Sequence, residues 1–214
     1  MRHHPRREIA LACGLAAVAG LVDAVGFIHL GGFFVSFMSG NSTRAGAQLA
    51  QGSVHGFVLA FGLVAAFLAG VLCASLLRRR VPRLKRMAVL SLVAIVLVLA
   101  VVMFDAGLWV PLVPPMMAFA MGAENVVFER GGEVSIGLTY MTGTLVKLGQ
   151  GLAAALAGGE KWGWLRYFLL WAALSAGSVM GGFGYHLLGL DALWVAVAGV
   201  GLAMLVQHRI AATD

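Results

Sequence analysis

Charge is what this chain has least of. Asp, Glu, Lys and Arg make up 11% of its 214 residues, where a soluble domain of this length carries roughly a quarter. That shortage excludes a globule with a water-facing surface. Cysteine is scarce too. Cys13 and Cys73 both sit inside apolar runs, which excludes a disulfide framework and leaves packing as their expected role. His29, His55 and His186 lack the spacing of metal ligands on one helix, so no metal and no cofactor is expected. Gly-x-Ser-x-Gly is missing, and Ser39 and Ser42 are not read as nucleophiles. The chain is not expected to be an enzyme.

What is present is hydrophobic sequence, 61% of the residues, arranged in long runs. Residues 54–77, 87–104, 106–123, 167–190 and 192–207 contain no Asp, Glu, Lys or Arg. Runs of about 18 or more such residues suffice for a helix to cross hydrocarbon. The net charge is +6, and the basic residues cluster in the short segments between the runs. That is the orientation signal of a membrane protein, and it argues against nucleic-acid binding. The basic start followed by apolar residues 9–22 superficially resembles a signal peptide, but an internal repeat places it inside the mature fold.

The repeat is direct to read. Met38-Ser39-Gly40-Asn41 is followed by Arg44, Gly46 and Leu49; Met141-Thr142-Gly143-Thr144 is followed by Lys147, Gly149 and Leu152, each 103 residues later. Gly20 and Asp23 match Gly122 and Asn125 at a shift of 102, and Gly70 and Ala74 match Gly177 and Gly181 at 107. A matched cation in apolar sequence is unusual, because intramembrane charges are rare. Two membrane repeats follow, 1–106 and 107–214, forming one membrane domain. Their segments are 9–30, 31–51, 54–77 and 87–104, then 109–128, 134–157, 167–187 and 192–206.

Charge then sets the topology. Arg2, Arg6 and Arg7 precede the first segment, and Arg78, Arg79, Arg80, Arg83, Lys85 and Arg86 follow the third. Both groups belong on the cytoplasmic side, yet three segments lie between them. Making the second segment re-entrant resolves this. Gly40-Asn41-Ser42-Thr43 would break a helix there and cap a new one, and Thr142-Gly143-Thr144 would do the same in the second repeat. The expected fold is all-α and integral to the membrane: six transmembrane helices plus two re-entrant or broken helices, as two inverted repeats. Both termini are then cytoplasmic, and the external loops contain no Lys or Arg. Eight full crossings is the alternative, and it scatters basic residues over both faces. Inverted repeats with interrupted helices are a transporter architecture, with the site near the midplane. Bare backbone at membrane depth is tolerated only against protein or a water-filled cavity.

The candidate site residues follow from that layout. Asn41 and Thr144 would cap the two half-helices, with Ser39, Thr43 and Thr142 beside them. The helix N-termini favour an anion, and Arg44 and Lys147 in the first turns would add charge. Snorkelling to headgroups or pairing with a carboxylate is the competing role for both cations. Asp23 and Asn125 lie at matching depth. Asp23 would pair with Arg44, bind a coupling cation, carry a proton, or form a purely structural ion pair. Glu124 belongs either to this polar cluster or to the nearby surface. Gly70, Ala74, Gly177 and Gly181 are read as helix-packing positions, between the repeats or in a homodimer.

The stretch from Gly20 to Phe27, then Gly31-Gly32-Phe33-Phe34 and Met38-Ser39-Gly40-Asn41, resembles the YoaK family of bacterial membrane proteins. Met121-Gly122-Ala123-Glu124-Asn125 and Tyr140-Met141-Thr142-Gly143-Thr144 are similar to that family's second motif. The family usually has Thr-Gly-Asn where this chain has Ser39-Gly40-Asn41, which keeps a hydroxyl. The resemblance covers nearly the whole chain and implies a bacterial inner-membrane protein, without implying a substrate. The expected function is passage of a small solute, with an anion favoured, between the repeats. The alternative is a non-transporting membrane scaffold, sensor or assembly factor, whose basic segment 78–86 would dock an acidic partner or anionic lipid.

Overall fold

Apolar side chains all round a helix leave it no polar face, so it must be enclosed by protein or lipid. Five helices are of this kind: α1 (Arg6–His29), α3 (Val54–Arg80), α4 (Lys85–Asp105), α7 (Leu165–Leu188) and α8 (Leu193–Ala211). Three shorter helices accompany them: α2 (Met38–Ala50), α5 (Val113–Asn125) and α6 (Met141–Leu156). A two-strand hairpin, β1 (Glu129–Arg130) and β2 (Glu133–Val134), follows α5. Short 3-10 turns precede α5 and α8. This computed structural model describes residues 6–82 and 84–211; Arg2 and Arg83, counted among the basic residues, lie outside them. Four stretches among the described residues are long and apolar enough to cross a membrane: Arg7–His29, Val54–Arg80, Lys85–Asp105 and Leu165–Ile210, the last holding both α7 and α8.

The helices interlock across the chain. α1 packs on α7 and α8, and α3 packs on α5. α5 also packs on α4, which in turn packs on α8. α2 folds against α3, and α6 against α7. Close approach at the two main crossings depends on missing β-carbons. A Cβ at Gly70 would overlap the Phe119 carbonyl, and one at Gly122 the Phe67 carbonyl. At the other crossing, a Cβ at Gly20 would overlap the Leu174 carbonyl, one at Gly177 the Ala17 carbonyl, and one at Gly181 the Leu21 carbonyl. The small residues matched in the sequence are therefore helix-packing positions.

The bundle has two distinct ends. At one, the buried Glu8 of α1 accepts from Arg86 of α4 at 2.5 Å and from Arg130 of the hairpin at 2.8 Å. Arg78, ending α3, donates to the carbonyls of Val127 (3.1 Å) and Glu129 (2.7 Å). The start of α7 lies here too, where Trp162, Leu165 and Leu169 share a groove with Ile9 and Cys13. At the other end His29 of α1 meets the Tyr185 hydroxyl of α7 at 3.2 Å. The N-termini of α3 and α7 are thus at opposite ends.

Three local expectations need correction. The second segment does not break at Gly40-Asn41-Ser42-Thr43; those residues are helical. The break comes earlier, where Gly31 (φ +62°) and Gly32 (φ +107°) turn the chain out of α1 and residues 33–37 run without helix. Gly40 instead makes room for the rings of Phe34 and Phe37 in the first turn of α2. In the second segment residues 135–140 are the non-helical part and α6 begins at Met141, so Thr142-Gly143-Thr144 lies in its first turn. Lastly, α5 has only 13 residues, about 20 Å of helix, and residues 126–128 are turn. The prolines at 114 and 115 hold its start to this point, because they are accommodated in a first turn and not further in.

Candidate functional site

Two helices of this bundle, α2 and α6, each begin after a stretch of non-helical backbone. Side chains on the long helices hold that backbone. On α1, Asp23 Oδ1 accepts the amides of Val35 (2.9 Å) and Ser36 (2.7 Å). On α5, Asn125 Oδ1 accepts the amide (3.3 Å) and hydroxyl (3.2 Å) of Thr139. Its Nδ2 donates to the Met121 carbonyl at 2.9 Å. The construction thus occurs twice, with Asp23 and Ser36 in one copy and Asn125 and Thr139 in the other.

Asn41 completes the first copy. Its Oδ1 accepts from the Phe34 amide at 2.9 Å and its Nδ2 donates to the Phe34 carbonyl at 2.6 Å. One fully buried side chain therefore satisfies both polar groups of a residue that has no strand partner. Asn41 was expected as the N-cap of a half-helix; the cap position is Phe37, and Asn41 pins the segment from inside the first turn. The same shift applies to Thr144, whose hydroxyl donates to the Tyr140 carbonyl at 3.2 Å, the cap position being Tyr140. Neither cap residue offers a side-chain acceptor to the first-turn amides.

The two helix starts meet. Met38 and Ser39 of α2, and Met141, Thr142 and Gly143 of α6, line one cavity of about 290 Å³. Ser36, Phe37, Thr139 and Tyr140 of the extended segments and Phe67 of α3 complete it. Helix N-termini present N–H groups that lack intrahelical acceptors, together with the positive end of the dipole. The lining residues also carry the hydroxyls of Ser36, Ser39, Thr139, Tyr140 and Thr142, and no charged side chain among the described residues lines the cavity. Two larger grooves, about 620 and 660 Å³, lie near the bundle ends and are mostly apolar.

The structure brings Ser39 and Thr142 to the cavity and puts Asp23, Asn41, Asn125 and Thr144 behind it as supports. Thr43 is exposed and donates to the Ser39 carbonyl at 3.2 Å. The two cations lie elsewhere. The Arg44 guanidinium sits over the rings of Phe27, Phe33 and Phe34, at 5.7, 5.4 and 5.9 Å. It lies close enough to Gly32 that a Cβ there would come within 2.8 Å of Nη2. Cation–π contacts of this kind give about 0.5–2 kcal/mol each, so the box of three rings replaces the expected Asp23 partner, and Asp23 spends its oxygen on amides. Lys147 lines a separate cavity of about 240 Å³ with Gln150, Glu160, Arg166 and Tyr167. The density of Phe around the two glycines was the sequence signal for the Arg44 box.

One group stood outside the expected set. Glu124, next to Asn125 on α5, is fully buried, and neither of its carboxyl oxygens has a hydrogen-bond partner among the described residues. A single carboxyl in an otherwise uncharged helix, where the matched position in the other copy is Val22, was the signal for it.

Residues 11–206 match the family model described as Protein of unknown function (DUF1275). The chain belongs to the DUF1275 family. It is also 36% identical over 191 residues to the UPF0700 transmembrane protein RA0705 of Rhizobium meliloti (strain 1021), covering 87% of this chain and 80% of the relative. No solved structure matches it. Together with the long apolar helices, these likenesses make this DUF1275 member a multi-pass membrane protein. Every residue of the cavity and its supports, from Asp23 to Thr144, lies inside the stretch matched by the family model.

Proposed function

We propose that this protein passes a small solute, preferentially an anion, across a bacterial inner membrane through the cavity between the starts of α2 and α6. The observation that carries the reading is the convergence of two uncapped helix N-termini on one hydroxyl-lined cavity. Such ends bind anions without a fixed cation, and a neutral cavity releases them more readily than one holding an arginine.

Depth supports the same reading. α2 has 13 residues and α6 has 16, about 20 and 24 Å of helix. They leave the cavity toward opposite ends of the bundle, so their combined length of roughly 44 Å compares with a whole bilayer of about 40–45 Å including headgroups. The cavity then lies near mid-membrane. The layout is six crossings with two re-entrant helices, in two inverted repeats. It is supported by paired packing, α1 on α7 matching α5 on α3 and α8 on α1 matching α4 on α5. The basic end holding Glu8, Arg78 and Arg86 is the cytoplasmic one, with both termini, by the distribution of Lys and Arg. The motifs that resemble YoaK are those that build the cavity.

The test is flux in proteoliposomes loaded with chloride, nitrate, phosphate or sulfate. Gly143 lines the cavity, and a Cβ there meets nothing within 4 Å, so Gly143→Phe starts its side chain in open space and adds a ring to the lining. At least one anion is expected to pass in the native protein and to be blocked by Gly143→Phe. It should persist in Gly149→Phe, an equally open position on α6 that does not line the cavity. Flux unaffected by Gly143→Phe would move the pathway elsewhere. No flux of any solute would favour the scaffold reading.

A further inference from the structure

We propose that Glu124 is a proton-binding group that couples proton uptake to the anion cavity. This rests on the transport reading above. The carboxyl is fully buried, and neither oxygen has a hydrogen-bond partner among the described residues. A carboxylate without donors in a low-dielectric interior costs several kcal/mol or more, and such a group takes up a proton instead.

Among the described residues no cation is paired with it. α5 packs on α1, α3 and α4. α1 brings Arg7, Glu8, Asp23 and His29 with the thiol of Cys13. α3 brings His55, the Cys73 thiol and Arg78, Arg79 and Arg80, and α4 brings Lys85, Arg86 and Asp105. None of them hydrogen-bonds to Glu124. Arg86 is committed to Glu8 and Arg78 to the Val127 and Glu129 carbonyls, while Asp23 accepts backbone amides. Phe128, four residues beyond Glu124 and fully buried, lies under the Arg86 guanidinium at 5.3 Å.

Position makes the proton consequential. Asn125, the next residue, holds Thr139 by two hydrogen bonds, and Thr139 lines the cavity just before α6 begins. A deprotonated Glu124 needs donors, and the side-chain amide of the next residue, Asn125, is one that would have to leave the Met121 carbonyl to serve it. Loss of the proton therefore competes for the bonds that set the start of α6. Uptake of one proton with one monovalent anion also makes the transferred pair neutral, which removes the charge cost of crossing the bilayer. The other copy has Val22 at this position, so a single proton site serves both helix starts.

Infrared spectroscopy of the purified protein reads the proton directly. An Asp23→Asn background removes the carboxyl of α1 that faces backbone amides, and the buried Glu8 is ion-paired with Arg86 and Arg130. A protonated-carboxyl band is expected there at neutral pH, and it should vanish on adding Glu124→Gln. In vesicles with an entrapped pH dye, chloride or nitrate entry should acidify the lumen in the native protein, and Glu124→Gln should lose that acidification. No band in the Asp23→Asn protein, a band indifferent to Glu124→Gln, or anion flux without proton movement would each overturn the proposal. Should Glu124→Gln not fold, the native vesicles and the Asp23→Asn spectrum still decide. If no anion moves, the transport reading falls and coupling falls with it, while a band lost in Glu124→Gln still assigns the proton to this residue.

Discussion

Replacing Asp23 separates geometry from charge. Two of the amides that it holds, Val35 and Ser36, reach the same oxygen, Oδ1. Asparagine keeps one carbonyl oxygen, and Asn125 uses just that atom to hold Thr139. Asp23→Asn should therefore retain both bonds and change stability by less than about 1 kcal/mol, the value of a typical net hydrogen bond. Asp23→Leu is nearly the same size and keeps neither. Val35 and Ser36 are buried, so their amides have no water to turn to. Each unsatisfied buried donor costs about 1–3 kcal/mol, together about 2–6 kcal/mol. For a protein of this length that lowers the melting temperature by about 4–24 °C. Thermal melts of both variants in detergent, followed by tryptophan fluorescence, provide the comparison. If Asp23→Asn falls as far as Asp23→Leu, the negative charge matters and the carboxylate is not simply a hook for backbone.

Two further outcomes are expected. Gly70→Ala and Gly177→Ala drive a methyl into the backbone carbonyls of Phe119 and Ala17, which cannot yield as a side chain would; each should cost about 1–3 kcal/mol or more. Gly62→Ala, on the same helix as Gly70 but with open space around the new atom, should instead gain up to about 1 kcal/mol of helix propensity, and parallel melts of the three test the contrast. In a background without Cys13 and Cys73, single cysteines at Gly52, Arg80 and Gly159 should label from outside, inside and inside respectively, and cytoplasmic labelling of Gly52 would show that the second segment crosses fully.

Much of the fold was readable from residue order. Long uncharged runs announced the crossing helices, and Gly70, Gly177 and Gly181 marked their contacts, because small residues at such spacing serve backbone approach; Gly20 and Gly122 were legible only as repeat matches. Asp23 and Asn125 were also recognisable as a matched pair. What each held was not, since that depends on a chain segment folding back more than ten residues away. The break in the second segment was misplaced for a related reason. Gly40-Asn41 has the composition of a helix start, but Asn41 reaches back seven residues to Phe34 and lets the helix begin earlier. Arg44 and Lys147 were placed at the site because a cation beside a helix N-terminus invites an anion; three phenylalanine rings around Arg44 satisfy it first. Glu124 was readable only as either a member of the polar cluster or a surface group, because its neighbour Asn125 carried the repeat match; the structure buries it.

The contact between α1 and α7 also bears on how the protein is made. Gly20 finds its cover, the Leu174 carbonyl, some 150 residues downstream. At ribosomal speeds of about 5–20 residues per second the wait is roughly 8–30 s. Throughout it, α1 is inserted in the membrane with a notched surface that lipid tails or a chaperone must occupy. Arrival of α7 must therefore displace that temporary occupant before α1 gains its cover.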